Sequence, residues 1–290
     1  MKKEKDRVIQ RKPEWLRISN RKSVNRDYVN NMLNLLGLNT VCKEAICPNQ
    51  SECYENKTAT FMILGVNCTR NCRFCNVEHQ LPQGIDSQEP EKIGLATKKL
   101  GLDYIVITSV TRDDLPDGGA GQFVATIQAL RKYCPETKVE VLIPDFKGDL
   151  KALREIVEAR PDVISHNVET VPALYQQVRP EAFYTRSLRV IEEIKKVTNS
   201  IYSKSSLMVG LGESKEQVIQ VMEDLRGVNC DFLTIGQYLA PSKRHYPVAE
   251  YIHPKLFEEY KKIALEKEFK HVASGPFVRS SYHAHQALKF

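Results

Sequence analysis

From residue 60 to about residue 268, short runs of β-branched and apolar residues alternate with longer amphipathic stretches. A chain patterned this way lays parallel strands side by side, with a helix crossing over after each. Thr60–Val66, Tyr104–Ser109, Val139–Ile143, Val163–Val168, Tyr202–Val209 and Phe232–Tyr238 read as strands. Residues near 90–100, 121–133, 149–159, 183–197, 214–227 and 254–268 read as helices, with Pro254 suited to the first turn of the last. Six strand–helix units fall short of the eight that close a full barrel, so an incomplete α/β barrel and an open doubly wound sheet both remain. In either, ligands gather at the carboxyl ends of the strands. Three of these ends are polar: Thr108 to Asp114, His166 to Thr170, and Gly236 to Leu239.

Other classes are excluded by what the chain lacks. Its longest apolar stretches, such as Phe61 to Leu64, are far below the roughly 20 residues of a membrane helix. No apolar run follows the basic N-terminus, so a secretory signal is not expected and a cytoplasmic location is. The net charge of +6 is concentrated at the start, since residues 1–26 carry ten Lys and Arg against three acids. The remainder is close to neutral. A basic head attracts acidic partners, but no aromatic-rich nucleic-acid module accompanies it.

The cysteines set the chemistry. Of eight, six crowd between positions 42 and 75, in a long chain without an export signal, where metal binding is expected rather than disulfides. Cys68, Cys72 and Cys75 are spaced C-x3-C-x2-C directly after the first strand. Three thiolates on a four-iron cube leave one iron open to a chelating small molecule. A structural zinc site is the alternative, but it normally takes four protein ligands, and only His79 lies nearby. Cys42, Cys47 and Cys53, spaced C-x4-C-x5-C, form a second set of three, again without a fourth. Two such sets argue two metal centres or one extended site. Cys134 and Cys230 stand alone and read as packing residues.

The first spacing, with Phe74 in the aromatic slot before Cys75, resembles the signature of the radical S-adenosylmethionine superfamily. That resemblance implies a partial (β/α)6 TIM-like barrel and a 4Fe–4S cluster whose open iron binds S-adenosylmethionine. One electron then yields methionine and a 5′-deoxyadenosyl radical able to take hydrogen from an unactivated carbon.

The second spacing, with three further stretches, resembles the lipoyl synthase family. The stretches are Arg11 to Arg17 (RKPEWLR), Thr108 to Ala120 (TSVTRDDLPDGGA) and Gly275 to Ala284 (GPFVRSSYHA). The match runs from about residue 11 to 285. It implies insertion of two sulfur atoms at C6 and C8 of an octanoyl group on a lysine of a carrier protein. In this picture Cys68, Cys72 and Cys75 hold the electron-transfer cluster. Cys42, Cys47 and Cys53, with Ser281 (Ser280 as the fallback), hold a sacrificial auxiliary 4Fe–4S cluster. A serine alkoxide is a hard ligand, poorly matched to a soft iron–sulfur core, and suits a corner meant to come apart.

Strand-end polar groups are the candidates for holding S-adenosylmethionine: Thr108, Ser109, Asn167, Glu169 and Arg179, beside Phe74 of the cluster loop. Asn and Glu can bond ribose hydroxyls and Arg can clamp a carboxylate. Gly210-Leu211-Gly212-Glu213 is a weak dinucleotide fingerprint, since Lys215 stands where the third glycine belongs; it reads as a close backbone approach. Expected partners are octanoylated lipoyl-carrier domains, either a glycine-cleavage carrier or acyltransferase subunits of 2-oxoacid dehydrogenases, which the basic head would attract. An electron donor such as flavodoxin or ferredoxin and an iron–sulfur carrier for cluster repair complete the set; nucleic acid and membrane are not expected. The chain divides into an extension (1–59), the barrel (60–269) and a tail (270–290) closing on the auxiliary cluster. A biotin-synthase-like thiolation and a zinc-stabilised nucleic-acid module are the competing readings.

Overall fold

The computed structural model describes residues 11–17, 24–44, 47, 49–55 and 58–288; most of the basic head lies outside them. A helix α1 (Val24–Leu36), a two-residue strand β1 (Asn39–Thr40) and two short helices, α2 (Val41–Glu44) and α3 (Gln50–Glu55), precede the barrel. Then come β2 (Thr60–Ile63), α4 (Glu89–Leu100), β3 (Tyr104–Ser109), α5 (Ala120–Tyr133), β4 (Lys138–Leu142), α6 (Leu150–Glu158) and β5 (Val163–Ser165). After these follow α7 (Tyr175–Val178), α8 (Tyr184–Val197), β6 (Tyr202–Val209), α9 (Lys215–Gly227), β7 (Phe232–Gln237), α10 (Pro254–Glu266) and β8 (His271–Gly275).

The eight strands of the described residues form one sheet in sequence order, β1 to β8. β1 runs antiparallel to β2 and every later pair is parallel. A doubly wound sheet reverses its strand order at a switch point; here the order never reverses, so the sheet winds one way as a barrel does. Among the described residues no ladder joins β8 to β1, and the barrel stays open. β2 to β7, each followed by a helix, are the six units read from the sequence. β8 is an additional parallel strand formed by residues that read as tail, and β1 was not expected.

The helix ends follow local chemistry. Asp149 caps α6 by accepting from the Lys151 amide at 2.8 Å. Ser214 and Gln217 form a reciprocal capping box at α9. Pro254 opens α10.

Strand alternation divides the core in two. Ile105, Ile107, Val139 and Val141 join Phe123, Ile127 and Leu130 of α5 in the outer layer. Tyr104, Val106, Glu140 and Lys204, of opposite parity, face the interior. There the buried Glu140 carboxylate takes Lys204 Nζ at 2.9 Å, Tyr104 Oη at 2.7 Å and Ser165 Oγ at 2.7 Å, linking β3, β4, β5 and β6. A buried ion pair contributes little net stability, though removing one partner is costly; with every acceptor satisfied, this one fixes the register. Ala284 packs with Tyr104 and Val106, and Ala287 with Val163 and Phe232. The end of the chain therefore fills the amino-terminal mouth, and the opposite mouth remains for the site.

Candidate functional site

The loop after β2 carries Cys68, Cys72 and Cys75, and neighbouring loops stitch it in place. The Thr69 amide and hydroxyl both donate to Thr111 O at 3.0 Å, and the Thr111 amide points at Cys68 Sγ at 3.3 Å. The Arg73 amide donates to Val178 O at 2.9 Å, and the Tyr246 amide to Arg73 O at 2.7 Å. His245 Nε2 lies 3.0 Å from Cys75 O. Arg70, inside the C-x3-C spacing and almost fully buried, reaches Asp113 and Asp145 beyond β3 and β4. The loop is thus gripped by segments following β3, β4 and β7 and by the end of α7.

The thiols of each set sense one another. Burial, reinforced by the other two thiols and Glu169, pushes Cys75 up to about 12. Burial raises Cys72 as well, with Arg179 opposing. In the second set, burial and Cys47 push Cys42 up to about 12, and burial with Cys42 and Cys47 does the same for Cys53. All eight cysteines are free thiols. Buried thiols that repel one another when ionised call for a positively charged occupant. Among the described residues no three His, Cys, Asp or Glu side chains converge tightly enough for a single metal ion. A cube spreads its irons, each taking its own thiolate, and the donor set fits that group better than a compact zinc tetrahedron.

In the second set, Cys42 lies in α2 and Cys53 in α3, with Cys47 between them in the chain. The Cys47 amide donates to Cys42 O at 3.0 Å and the Cys53 amide to Asn49 O at 2.9 Å. Ala45, Ile46 and Pro48 of this spacing lie outside the described residues. Asn76, directly after Cys75, donates through Nδ2 to Glu44 O at 2.8 Å, so the two cysteine loops touch. The tail lies against the second set. Asn49 Nδ2 donates to Phe277 O at 2.7 Å, Arg279 interacts electrostatically with Cys47, and Tyr282 with Cys53 and Cys47. Ser280 and Ser281 fall between these contacts.

The strand-end candidates fare unevenly. Among the described residues, Ser109 Oγ, Asn167 Oδ1 and Arg179 Nε are buried without a hydrogen-bond partner. Unpaired buried polar atoms are rare and ask for a missing partner; these are the atoms a polar ligand at the barrel mouth would engage. Thr170 Oγ1 and Thr234 Oγ1 share the condition; Thr170 lies in the polar end of the fourth predicted strand without being singled out there, and Thr234, inside an apolar strand, gives no signal in the sequence. Thr108 differs: its hydroxyl donates to Leu142 O at 3.1 Å and ties β3 to β4. Glu169 sits in the left-handed region at φ 65° and accepts from Asn167 Nδ2 at 3.0 Å. Burial raises its carboxyl and Arg179 opposes. Arg179 Nη1 holds Asn167 O at 2.9 Å and Tyr175 Oη at 3.1 Å. Phe74 joins an apolar cluster with Val178, Leu211 and Tyr238. In the Gly210–Glu213 turn, Glu213 accepts from the Gly210 and Leu211 amides. A side chain at Gly210, where φ is 93°, would strike Gln237 Nε2 at 2.3 Å and Glu250 O at 2.4 Å. The glycine serves close packing between β6 and the β7 loop.

Comparison with known proteins agrees. Residues 62–225 match the model of the radical SAM superfamily. The lipoyl synthase of Caldicellulosiruptor saccharolyticus is 58% identical over 279 residues, covering 96% of this chain and 98% of its own. That of Alkaliphilus metalliredigens is 53% identical over 281 residues, covering 97% of each chain. Among solved structures, HydG, a maturase of the FeFe-hydrogenase, superposes with a TM-score of 0.60 at 13% identity, covering 88% of this chain and 58% of that one; this likeness concerns the fold alone. With its two cysteine triplets, its one-way strand order and these full-length relatives, the chain belongs to the lipoyl synthase family of the radical SAM superfamily.

Proposed function

We propose that Cys68, Cys72 and Cys75 ligate the electron-transfer cluster, and that Cys42, Cys47 and Cys53 with Ser281 ligate the auxiliary one. Ser109, Asn167, Glu169 and Arg179 hold S-adenosylmethionine at the barrel mouth, with Phe74 and Thr108 as supports. The observation that carries this reading is the meeting of two separate three-thiol loops, joined by Asn76 and Glu44, at one end of an open barrel. The tail with its serine pair lies across the second loop.

A member of this family is a radical sulfurtransferase that uses S-adenosylmethionine and two 4Fe–4S clusters. It replaces one hydrogen with sulfur at each of C6 and C8 of a carrier-bound octanoyl chain. These carbons bear no activating group, so acid–base and nucleophilic chemistry cannot reach them. When bound, the clusters and S-adenosylmethionine supply a low-potential electron, a 5′-deoxyadenosyl radical and sulfide.

The chain's own residues do the rest. The hydrogen bonds of Thr69, Arg73 and Tyr246 hold the first loop rigid, which fixes where its thiols point. Arg179 places a cation beside Cys72 and offsets the charge gathered there. Asn167 and Ser109 offer unpaired atoms to ribose or amino-acid groups, and the Arg179 Nε hydrogen can meet a carboxylate. The apolar cluster of Phe74, Leu211 and Tyr238 shields this region from water, as radical chemistry demands.

The substrate is a lipoyl-carrier domain. The reading extends to the glycine-cleavage carrier and the acyltransferase subunits of 2-oxoacid dehydrogenases as acceptors, to flavodoxin or ferredoxin as electron donor, and to an iron–sulfur carrier for repair. It places the reaction in the cytoplasm. Among the described residues no helix is long and apolar enough to cross a membrane. The three-part division at residues 59 and 269 belongs to the same reading, with β8 as the root of the tail. Anaerobic turnover with an octanoylated carrier peptide, read by mass spectrometry, tests it. Two added sulfurs are expected. S-adenosylmethionine cleavage with no sulfur gained would overturn it.

A further inference from the structure

The segment bearing Ser280 and Ser281 is a bridge with two fixed ends. On one side, Val278 packs so closely on β7 that a Cβ added to Gly236 would lie 2.0 Å from Val278 O. On the other, Ala284 and Ala287 are buried at the barrel floor. Between the anchors the backbone makes only short-range turns, with the Tyr282 amide donating to Arg279 O at 2.9 Å and the Gln286 amide to His283 O at 2.9 Å. Among the described residues no strand or helix pairing fixes how far the middle of the bridge stands from the second cysteine loop.

A hydrogen-bonded side chain of the cysteine loop spans that gap. Glu52, on α3 directly before Cys53, accepts from Tyr282 Oη at 3.1 Å on Oε1 and at 3.2 Å on Oε2, and His283 Nε2 lies 2.8 Å from Oε1. The Tyr282 and His283 rings lie against each other at a tilt of 33° with centroids 4.0 Å apart, so both partners reach the carboxylate as one unit. Arg279 flanks the serines on the other side and faces Cys47.

We propose that Glu52 is a positioning residue that latches the Ser280–Ser281 bridge onto the loop of Cys42, Cys47 and Cys53. The inference rests on the reading of that triplet as an auxiliary-cluster site. Glu52 acts through Tyr282 and His283 and touches no ligand itself. The latch lies at the surface, with Glu52 exposed and its two partners half-buried, so it can open while both anchors stay in place. A bridge anchored at its ends and drawn to the loop by this contact presents a serine when latched and withdraws it when released.

The test reads the bridge and the site separately. In the cluster-free protein, trypsin cleavage after Arg279 should run about tenfold faster in Glu52→Ala than in the unaltered chain, the factor expected for losing one charge-assisted hydrogen-bonded contact. Glu52→Gln, which keeps an acceptor oxygen, should be intermediate, and Tyr282→Phe should shift cleavage the same way. The double variant Glu52→Ala/Tyr282→Phe should add nothing to Glu52→Ala. If Glu52→Ala misfolds, Glu52→Gln and Tyr282→Phe carry the comparison. Unchanged cleavage in these variants overturns the latch. The second arm uses protein with Cys68, Cys72 and Cys75 changed to Ala, reconstituted anaerobically, and follows iron loss to a chelator. Glu52→Ala should speed that loss several-fold, and an unchanged rate overturns the positioning role even where cleavage is faster. Should this background bind no iron with Glu52 intact, the auxiliary-cluster reading fails and the positioning role falls with it, a result distinct from a failed latch.

Discussion

Arg70 forks onto Asp113, with Nε 2.7 Å from one carboxylate oxygen and Nη2 2.9 Å from the other. The same Nη2 reaches Asp145 at 2.6 Å. This residue, enclosed by Cys68 and Cys72, locks the first cysteine loop to two neighbouring strand ends. Burial alone would raise the Asp145 carboxyl, and Arg70 overrides it and holds the group at about 2. Arg70→Ala strips the fork from Asp113 and leaves the buried Asp145 carboxylate to the longer contact with Arg186 Nη1 at 3.3 Å, and should cost about 3 kcal/mol, seen as a lower urea midpoint of the cluster-free protein. Arg70→Lys keeps the charge but loses the fork and should recover only part. A midpoint unchanged in Arg70→Ala would remove the locking role.

Alanine at Cys42, Cys47 or Cys53 should leave S-adenosylmethionine cleavage in place and abolish sulfur insertion. Alanine at Cys68, Cys72 or Cys75 should abolish both. Iron should fall from about eight to about four per chain in either set, the content of one cube. The decisive measurement is 5′-deoxyadenosine release against lipoyl product in the same reaction. Sulfur insertion persisting in a second-set variant would refute the division of roles.

Ser281 and Ser280 should separate cleanly. Ser281→Ala should speed iron loss from the auxiliary site and suppress the product, while Ser280→Ala should do little. Ser281→Cys substitutes a soft thiolate that matches iron better than an alkoxide does. Chelator-driven iron loss should then slow and product should fall together. Reversal of the two serines' behaviour would hand the ligand role to Ser280.

The barrel was legible because each of its units carries a strong period. The apolar run of β3 and the amphipathic stretch of α5 need no tertiary context to be read. β8 was not, since His271-Val272-Ala273-Ser274-Gly275 mixes polar and small residues and becomes a strand only by pairing with β7. β1 is two residues long and exists through its pairing with β2. The cysteines announce themselves by spacing, and Ser109 and Asn167 by standing at polar strand ends; Arg179 follows α7 and comes to the site by folding. Arg70 and Glu52 carry no such signal. Their partners lie 43 and 230 residues away for Asp113 and Tyr282, distances that only the folded chain bridges. Thr108 stands at the same polar strand end, and its hydroxyl also ties β3 to β4.

His166 closes a chain of donors that tolerates only its neutral form. Its Nδ1 lies 2.9 Å from Ile143 O, a group that can only accept, so Nδ1 carries the proton. Nε2 then accepts from Ser187 Oγ at 3.0 Å, Ser187 accepts from Tyr175 Oη at 3.1 Å, and Tyr175 accepts from Arg179 Nη1 at 3.1 Å. Burial, with Arg179 adding to it, lowers the imidazole from 6.5 to about 4. The unfolded chain therefore binds a proton below about pH 6.5 that the folded chain refuses until about pH 4, so stability rises with pH across that window. Between about pH 7.5 and about pH 5 the folded state should lose about 2 kcal/mol from this group. Urea unfolding of the cluster-free protein at both values measures it, and His166→Gln should flatten the difference. An equal pH dependence in the two proteins would show that His166 titrates alike in both states and is not held neutral.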